Sequence, residues 1–320
     1  MRRKRKQKDE FLPELAKYSH MHPPLSPRFV RMTQPPMRIL YFLQRNDAAT
    51  RVCRERILSE DGAPLRLLSF EPKQAECSCE ILFLHGGGFV FDAAPHHFAL
   101  ARELSRALGA RVTMPEYRLA PKHPFPAAPR DCLAAYRHLL SRANGRDIIV
   151  CGDSAGGNLA AGLCLSARGV GLPLPRAQML LYPVLDRRME TESYRKYRNT
   201  PMCSGEDMEK YFEMYESDES DETDEKTAPR GTERALLSPA QAEDVSDFPP
   251  TYIEAAQFDC LRDEAAAFAE RLRGAGVPVQ LFEIKGAMHG YDIARRAEFL
   301  KPIMKRRAEF LRGVFNQKTK

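Results

Sequence analysis

The chain has 320 residues, 43% of them hydrophobic and 29% charged, too apolar for a disordered protein and long enough for one large α/β domain with an insertion or for two domains. No apolar run approaches the roughly eighteen residues of a membrane span, which excludes stable membrane insertion. Lysine and arginine total 49 against 43 acidic residues, a formal charge of +6, but the surplus is local, and no basic stripe with a reading motif points to nucleic acid.

In chain order, Arg2, Arg3, Lys4, Arg5, Lys6 and Lys8 open the sequence, and residues 1–10 are expected to be a solvated, disordered tail. Charges and prolines interrupt every stretch that could serve as the apolar core of a secretory leader. Eight cysteines without a regular framework suit a reducing compartment, so a cytoplasmic location is expected. Cys77 and Cys79 are too close for a zinc knuckle and no second Cys/His pair completes a four-ligand set; no metal and no cofactor are expected. Residues 11–50 are rich in proline, methionine and aromatics and stand outside the strand and helix rhythm that follows.

A hairpin is predicted over 55–71, turning at Asp61-Gly62. Residues 81–84 are continuously apolar, as a strand buried on both faces must be. Further strands are predicted at 111–115, 148–151, 179–184, 251–256 and 279–284, with helices at 98–108, 127–140, 158–167 and 263–273. This alternation predicts an α/β fold, a mostly parallel central sheet with helices on both faces. Residues 186–232 interrupt it. Within them, Ser204 to Asp207 reads as a capping box, and Met208, Tyr211, Phe212 and Tyr215 fall on one helical face. Seven acidic residues between Glu216 and Glu225 read as a mobile loop. Near the end, Arg295 to Leu300 recurs as Arg306 to Leu311, an offset of eleven residues that predicts one amphipathic helix with a basic outer face, with Pro302 at its start or at a kink.

Gly152-Asp153-Ser154-Ala155-Gly156-Gly157 follows a predicted strand and opens a predicted helix. That is the setting of a nucleophile elbow, in which glycines two residues to either side of the serine let strand and helix approach. A phosphate-cradling loop would need a lysine that is missing here. His85-Gly86-Gly87-Gly88 follows the strand at 81–84 and offers backbone N–H groups; Gly87 and Gly88, with the amide of Ala155, are assigned as oxyanion donors, and His85 as a structural hydrogen-bonder. His289 is the sole histidine after Ser154 and follows a strand at the same sheet edge, as a general base should. Asp259 follows the strand at 251–256 and could orient that imidazole; Asp263 competes, but opens a helix where capping is its ordinary role. Phe89, Met208, Tyr211 and Phe212 are candidate substrate contacts.

Taken together, the chain resembles the hormone-sensitive lipase family of α/β-hydrolases, esterases marked by H-G-G-G and G-D-S-A-G-G. The resemblance runs from about Ile81 to the end and includes Tyr117-Arg118-Leu119-Ala120-Pro121, His123-Pro124-Phe125-Pro126-Ala127-Ala128, Ser238-Pro239 and Asp259-x-Leu261-x-Asp263-Glu264. It implies a catalytic domain over 51–185 and 233–320, and a helical cap built from 11–50 plus the insertion 186–232. It also implies the roles given to Ser154, Asp259 and His289. Cys260, Tyr291 and the acidic run depart from the family pattern and bear on substrate shape.

The expected activity is hydrolysis of short- to medium-chain acyl esters through an acyl-enzyme, with a small-molecule ester as partner and a homodimer as one open assembly. Arylamide deacylation by the same triad is the nearest alternative. A small-molecule receptor on this fold is another; plant hormone receptors of that kind have lost the histidine that this chain keeps at position 289.

Overall fold

The computed structural model describes residues 11–74, 79–216 and 232–316. The basic tail, Cys77 and the acidic run beyond Glu216 lie outside them. Strands β1 (Thr50–Leu58) and β2 (Pro64–Pro72) form an antiparallel hairpin. Its turn closes through Ser59 N–H to Ala63 O at 2.7 Å, and Gly62 there takes a φ of 81°. The other strands are β3 (Glu80–Leu84), β4 (Arg111–Pro115), β5 (Ile148–Asp153), β6 (Ala177–Leu181), β7 (Thr251–Phe258) and β8 (Val279–Met288), in the order β1-β2-β4-β3-β5-β6-β7-β8. From β4 to β8 every neighbouring pair is parallel. All residues of β3, β5 and β6 are buried, which requires cover on both faces of the sheet.

The helices are α1 (Pro27–Leu43), α2 (Pro95–Leu108), α3 (Ala127–Arg142), α4 (Ala155–Gly169), α5 (Glu192–Lys196), α6 (Gly205–Tyr215), α7 (Thr232–Leu237), α8 (Arg262–Gly274) and α9 (Leu300–Asn316). Helix α2 packs on α9, and α3 packs on α4. Among the described residues no helix is long and apolar enough to cross a membrane.

Three expectations need correction. Strand β6 stops at Leu181 rather than continuing to Val184, because Tyr182 turns to a φ of 38° and Pro183 has no N–H to extend a ladder. Strand β8 continues past Ile284 to Met288, because Gly286, at φ 70°, is absorbed into an irregularity between β7 and β8 where its N–H meets Gln257 Oε1 at 2.7 Å. The C-terminal repeat does not form one helix: α9 begins at Leu300, with Pro302 in its first turn where a missing N–H costs little. Nor is its basic face wholly outward, since Arg307 is fully buried.

Candidate active site

The turn from β5 into α4 is tight enough to specify its glycines. Ser154 sits at φ 53° and ψ −121°, a strained conformation for a residue with a side chain. A Cβ at Gly152 would lie 2.0 Å from Gly156 O, and one at Gly156 would lie 2.0 Å from Leu84 O. The strain is held by Ser154 N–H donating to Leu181 O at 2.9 Å, and by Ser154 O accepting from Gly157 N–H at 2.9 Å and Val184 N–H at 3.0 Å.

The end of β8 carries His289 to this turn. Its Nε2 is 2.8 Å from Ser154 Oγ, and its Nδ1 is 2.7 Å from Asp259 Oδ2. Asp259, fully buried just beyond β7, also accepts the Leu261 N–H through Oδ1 at 3.0 Å. An ionised Asp259 places the imidazole proton on Nδ1 and leaves Nε2 to accept from the serine hydroxyl. Burial opposes the charged imidazole, but the Asp259 carboxylate outweighs it and raises the His289 pKa above its ordinary value. Asp263 lies elsewhere. It does not cap its own helix but accepts the Ser193 N–H at 2.8 Å, at the start of α5, and pairs with Arg262.

Opposite the serine, the loop after β3 offers amides. Gly87 and Gly88 adopt φ of 125° and 60°, and a Cβ at Gly88 would lie 2.2 Å from Tyr211 Cδ1. Among the described residues, the N–H groups of Gly87, Gly88 and Ala155 are in no hydrogen bond with the protein, whereas Phe91 N–H returns to Gly87 O at 2.8 Å.

Sequence reasoning passed over Asp153 and His97. Asp153 Oδ1 accepts the Gly86 N–H at 3.0 Å, and its Oδ2 lies 3.1 Å from His97 Nε2. Burial works to raise the Asp153 pKa, but the His97 imidazole beside it holds the carboxyl down at about 2. The aspartate within G-D-S was the available signal. His97 with His96 and Asp153 forms a cluster whose ligand-type atoms lie within 4.8 Å of one another. His97 Nδ1 accepts the Ala94 N–H at 2.8 Å, so its proton is on Nε2 and faces Asp153, leaving no free lone pair for an ion. His85 is stacked on Tyr117 at 4.4 Å, and burial lowers its pKa to about 3.

Ser154, His289, Gly87 and Gly88 open into a cavity of about 540 Å³ whose apolar wall includes Met21, Met37, Phe91, Met202 and Tyr211. Of the four expected substrate contacts, Tyr211 alone lines it. Phe89, at φ 64°, stacks on Tyr215 at 3.9 Å, and Met208 and Phe212 are buried behind the wall. The helical stripe was read correctly as one face, but most of that face anchors α6 instead of meeting the cavity.

The alpha/beta hydrolase fold family matches residues 81–293. The chain is 36% identical over 225 residues to the esterase LipI of Mycobacterium tuberculosis, a match covering 69% of this chain and 67% of that one. It is 32% identical to an ethyl acetate hydrolase of Pseudomonas putida, over 73% of this chain and 74% of the relative. Among solved structures, a bacterial heroin esterase superposes with a TM-score of 0.80 at 30% identity, covering 96% of this chain and 98% of that one.

Proposed function

The chain belongs to the alpha/beta hydrolase fold family, in its hormone-sensitive-lipase-like branch, and from that premise we propose that Ser154, His289 and Asp259 are its catalytic triad and Gly87, Gly88 and Ala155 its oxyanion donors. The protein is a serine carboxylic-ester hydrolase. The observation that carries the assignment of residues is the unbroken relay from Ser154 Oγ to His289 at 2.8 Å and from His289 to Asp259 at 2.7 Å.

In this reading His289 Nε2 takes the hydroxyl proton as Ser154 Oγ attacks the ester carbonyl, and Asp259 stabilises the imidazolium that forms. The developing oxyanion is received by the three amides, each contributing about 3 kcal/mol to barrier lowering. His289 protonates the leaving alcohol, then activates the water that releases the acid from Ser154. None of these steps calls on a metal or cofactor. A cavity of about 540 Å³ lined by methionines suits short- to medium-chain acyl groups, since methionine packs adaptably around flexible chains. Helices α1 and α6 would form its cap.

The test is turnover of p-nitrophenyl esters by the parent protein and by Ser154→Ala, with fluorophosphonate labelling of both. The expected result is loss of turnover and of labelling in the variant. Turnover within a few-fold of the parent would reject Ser154 as nucleophile.

A further inference from the structure

Helix α1 carries apolar side chains outward as well as inward, where Val30 and Tyr41 are buried in the core. Its inward side is fastened by polar groups: Gln34 Nε2 donates to Val90 O and to Ala120 O, both at 2.8 Å, and Arg38 Nε lies 3.3 Å from Asp92 Oδ2. Its outward side carries Met32, Ile39, Phe42 and Leu43, which are 66%, 53%, 46% and 57% exposed. Their spacing places them along one stripe. Of the seven large hydrophobic side chains exposed among the described residues, these four and Met21 all fall between positions 21 and 43, so the exposure is a patch and not scatter.

Two further features say what the patch meets. Cations surround it: Arg28 and Arg45 are exposed at either end, and a groove of about 780 Å³ beside the helix is lined by Arg31 and Lys122. No acidic residue occurs in α1. The patch also adjoins the catalytic cavity, because Met37 of the same helix and Met21 just before it line the wall around Ser154.

We propose that this face of α1 docks on a membrane surface bearing anionic phospholipid. Ile39, Phe42 and Leu43 would enter the boundary between headgroups and acyl chains while the flanking arginines and Lys122 meet the phosphates, the arrangement of an interfacial amphipathic helix. An ester dissolved in the bilayer would then reach the cavity past Met37; that use rests on the hydrolase reading, whereas the docking does not. A second copy of the chain fits less well. A twofold interface sets the patch against itself, bringing Arg28 and Arg45 toward their own counterparts with no carboxylate on α1 to offset them, while an anionic surface supplies the opposite charge.

Vesicle flotation tests the docking, comparing phosphatidylcholine alone with phosphatidylcholine containing about 30% phosphatidylglycerol. The expected result is at least about tenfold stronger binding to the anionic vesicles, lost as salt rises from about 0.1 to about 0.5 M. The Ile39→Ser/Phe42→Ser pair should lower that binding about tenfold or more with turnover of soluble p-nitrophenyl acetate unchanged. Arg28→Glu/Arg45→Glu should do the same without touching the apolar stripe, and serves if the first pair fails to fold. Ser154→Ala should bind as the parent does, which separates docking from hydrolysis. Equal binding to both vesicles, no binding to either, or variants that only convert a dimer to a monomer in light scattering would overturn the proposal.

Discussion

Asp153 Oδ1 accepts the backbone N–H of Gly86 at 3.0 Å, tying the turn that holds Ser154 to the loop that holds the Gly87 and Gly88 amides. The approach is close enough that a Cβ at Gly86 would lie 2.3 Å from Asp153 Oδ2. One carboxylate therefore sets the distance between the Ser154 hydroxyl and the amides proposed to receive the oxyanion.

Asp153→Ala should lower kcat by about 10²-fold, comparable to losing one oxyanion donor. It leaves the Gly86 N–H and the His97 Nε2–H without their buried acceptor, at a cost of about 1–3 kcal/mol each. Denaturant unfolding and burst kinetics separate the two effects. Because the Asp153 carboxyl is held near 2 when folded, against about 3.9 in an unfolded chain, its stabilisation is present above that unfolded value. It is lost as pH falls through about 2.

Gly152→Ala and Gly156→Ala should each abolish activity and destabilise the fold, since each new Cβ would meet a backbone oxygen at 2.0 Å. Gly62→Ala makes the contrast: nothing lies within 4 Å of its Cβ position, so only the φ of 81° penalises it. A melting series across the three variants checks the order, and Gly62→Ala should keep full turnover.

The pH profile follows from the charge beside His289. The imidazole must be neutral to accept the serine proton, and Asp259 favours its charged form. The acidic limb of kcat/KM should therefore lie above the ordinary imidazole value of about 6.5, activity falling as pH drops through it. Asp259→Asn removes the raising charge but not the burial, so its limb should move to lower pH while the maximal rate falls. A limb that stays in place would disconnect Asp259 from the titrating base.

How much of this was legible in the sequence follows from which forces are local. The glycines around Ser154 and the apolar run at 81–84 are readable because sterics and two-sided burial act on neighbours in the chain. The juxtaposition of Ser154, Asp259 and His289 needed the order of strand ends as well, which the α/β rhythm supplied. Asp153 escaped notice because its partners, Gly86 and His97, are 67 and 56 residues away and no period marks them. Arg307 escaped for the opposite reason. Its basic neighbours on α9 made it look like solvated charge, and only the packed structure shows that β7 supplies Glu254 at 2.6 Å and the turn after His289 supplies Asp292 at 3.0 Å. Met208 and Phe212 were placed on the right helical face, but they do not line the cavity, because periodicity gives a direction and not a depth.

Arg307→Met should be among the most destabilising single changes. It leaves Glu254 and Asp292 buried without their cation, a loss of about 3–5 kcal/mol where a buried pair is broken from one side, read as a lower urea midpoint. Asp292 also accepts the Tyr182 hydroxyl at 3.0 Å, and the Tyr182 ring meets His289 edge-on at 5.0 Å. The surviving folded fraction should therefore show reduced kcat. Adding Glu254→Gln to Arg307→Met should recover part of the stability by removing one stranded charge.

Tyr211 sets the inner wall of the cavity. Its ring rests on Gly88 so closely that a Cβ there would lie 2.2 Å from Cδ1, and it meets Phe91 edge-on at 6.3 Å. Tyr211→Ala should extend the apolar space beside Ser154, and each additional buried methylene contributes about 0.8 kcal/mol, close to fourfold in rate. The ratio of kcat/KM for p-nitrophenyl octanoate over acetate should rise about tenfold even if the variant is less stable, because the ratio cancels a loss of folded enzyme. Tyr211→Phe keeps the wall and should leave the ratio unchanged. If Tyr211→Ala also leaves it unchanged, acyl length is limited elsewhere, and the methionines at 21, 37 and 202 that line the same cavity become the residues to truncate.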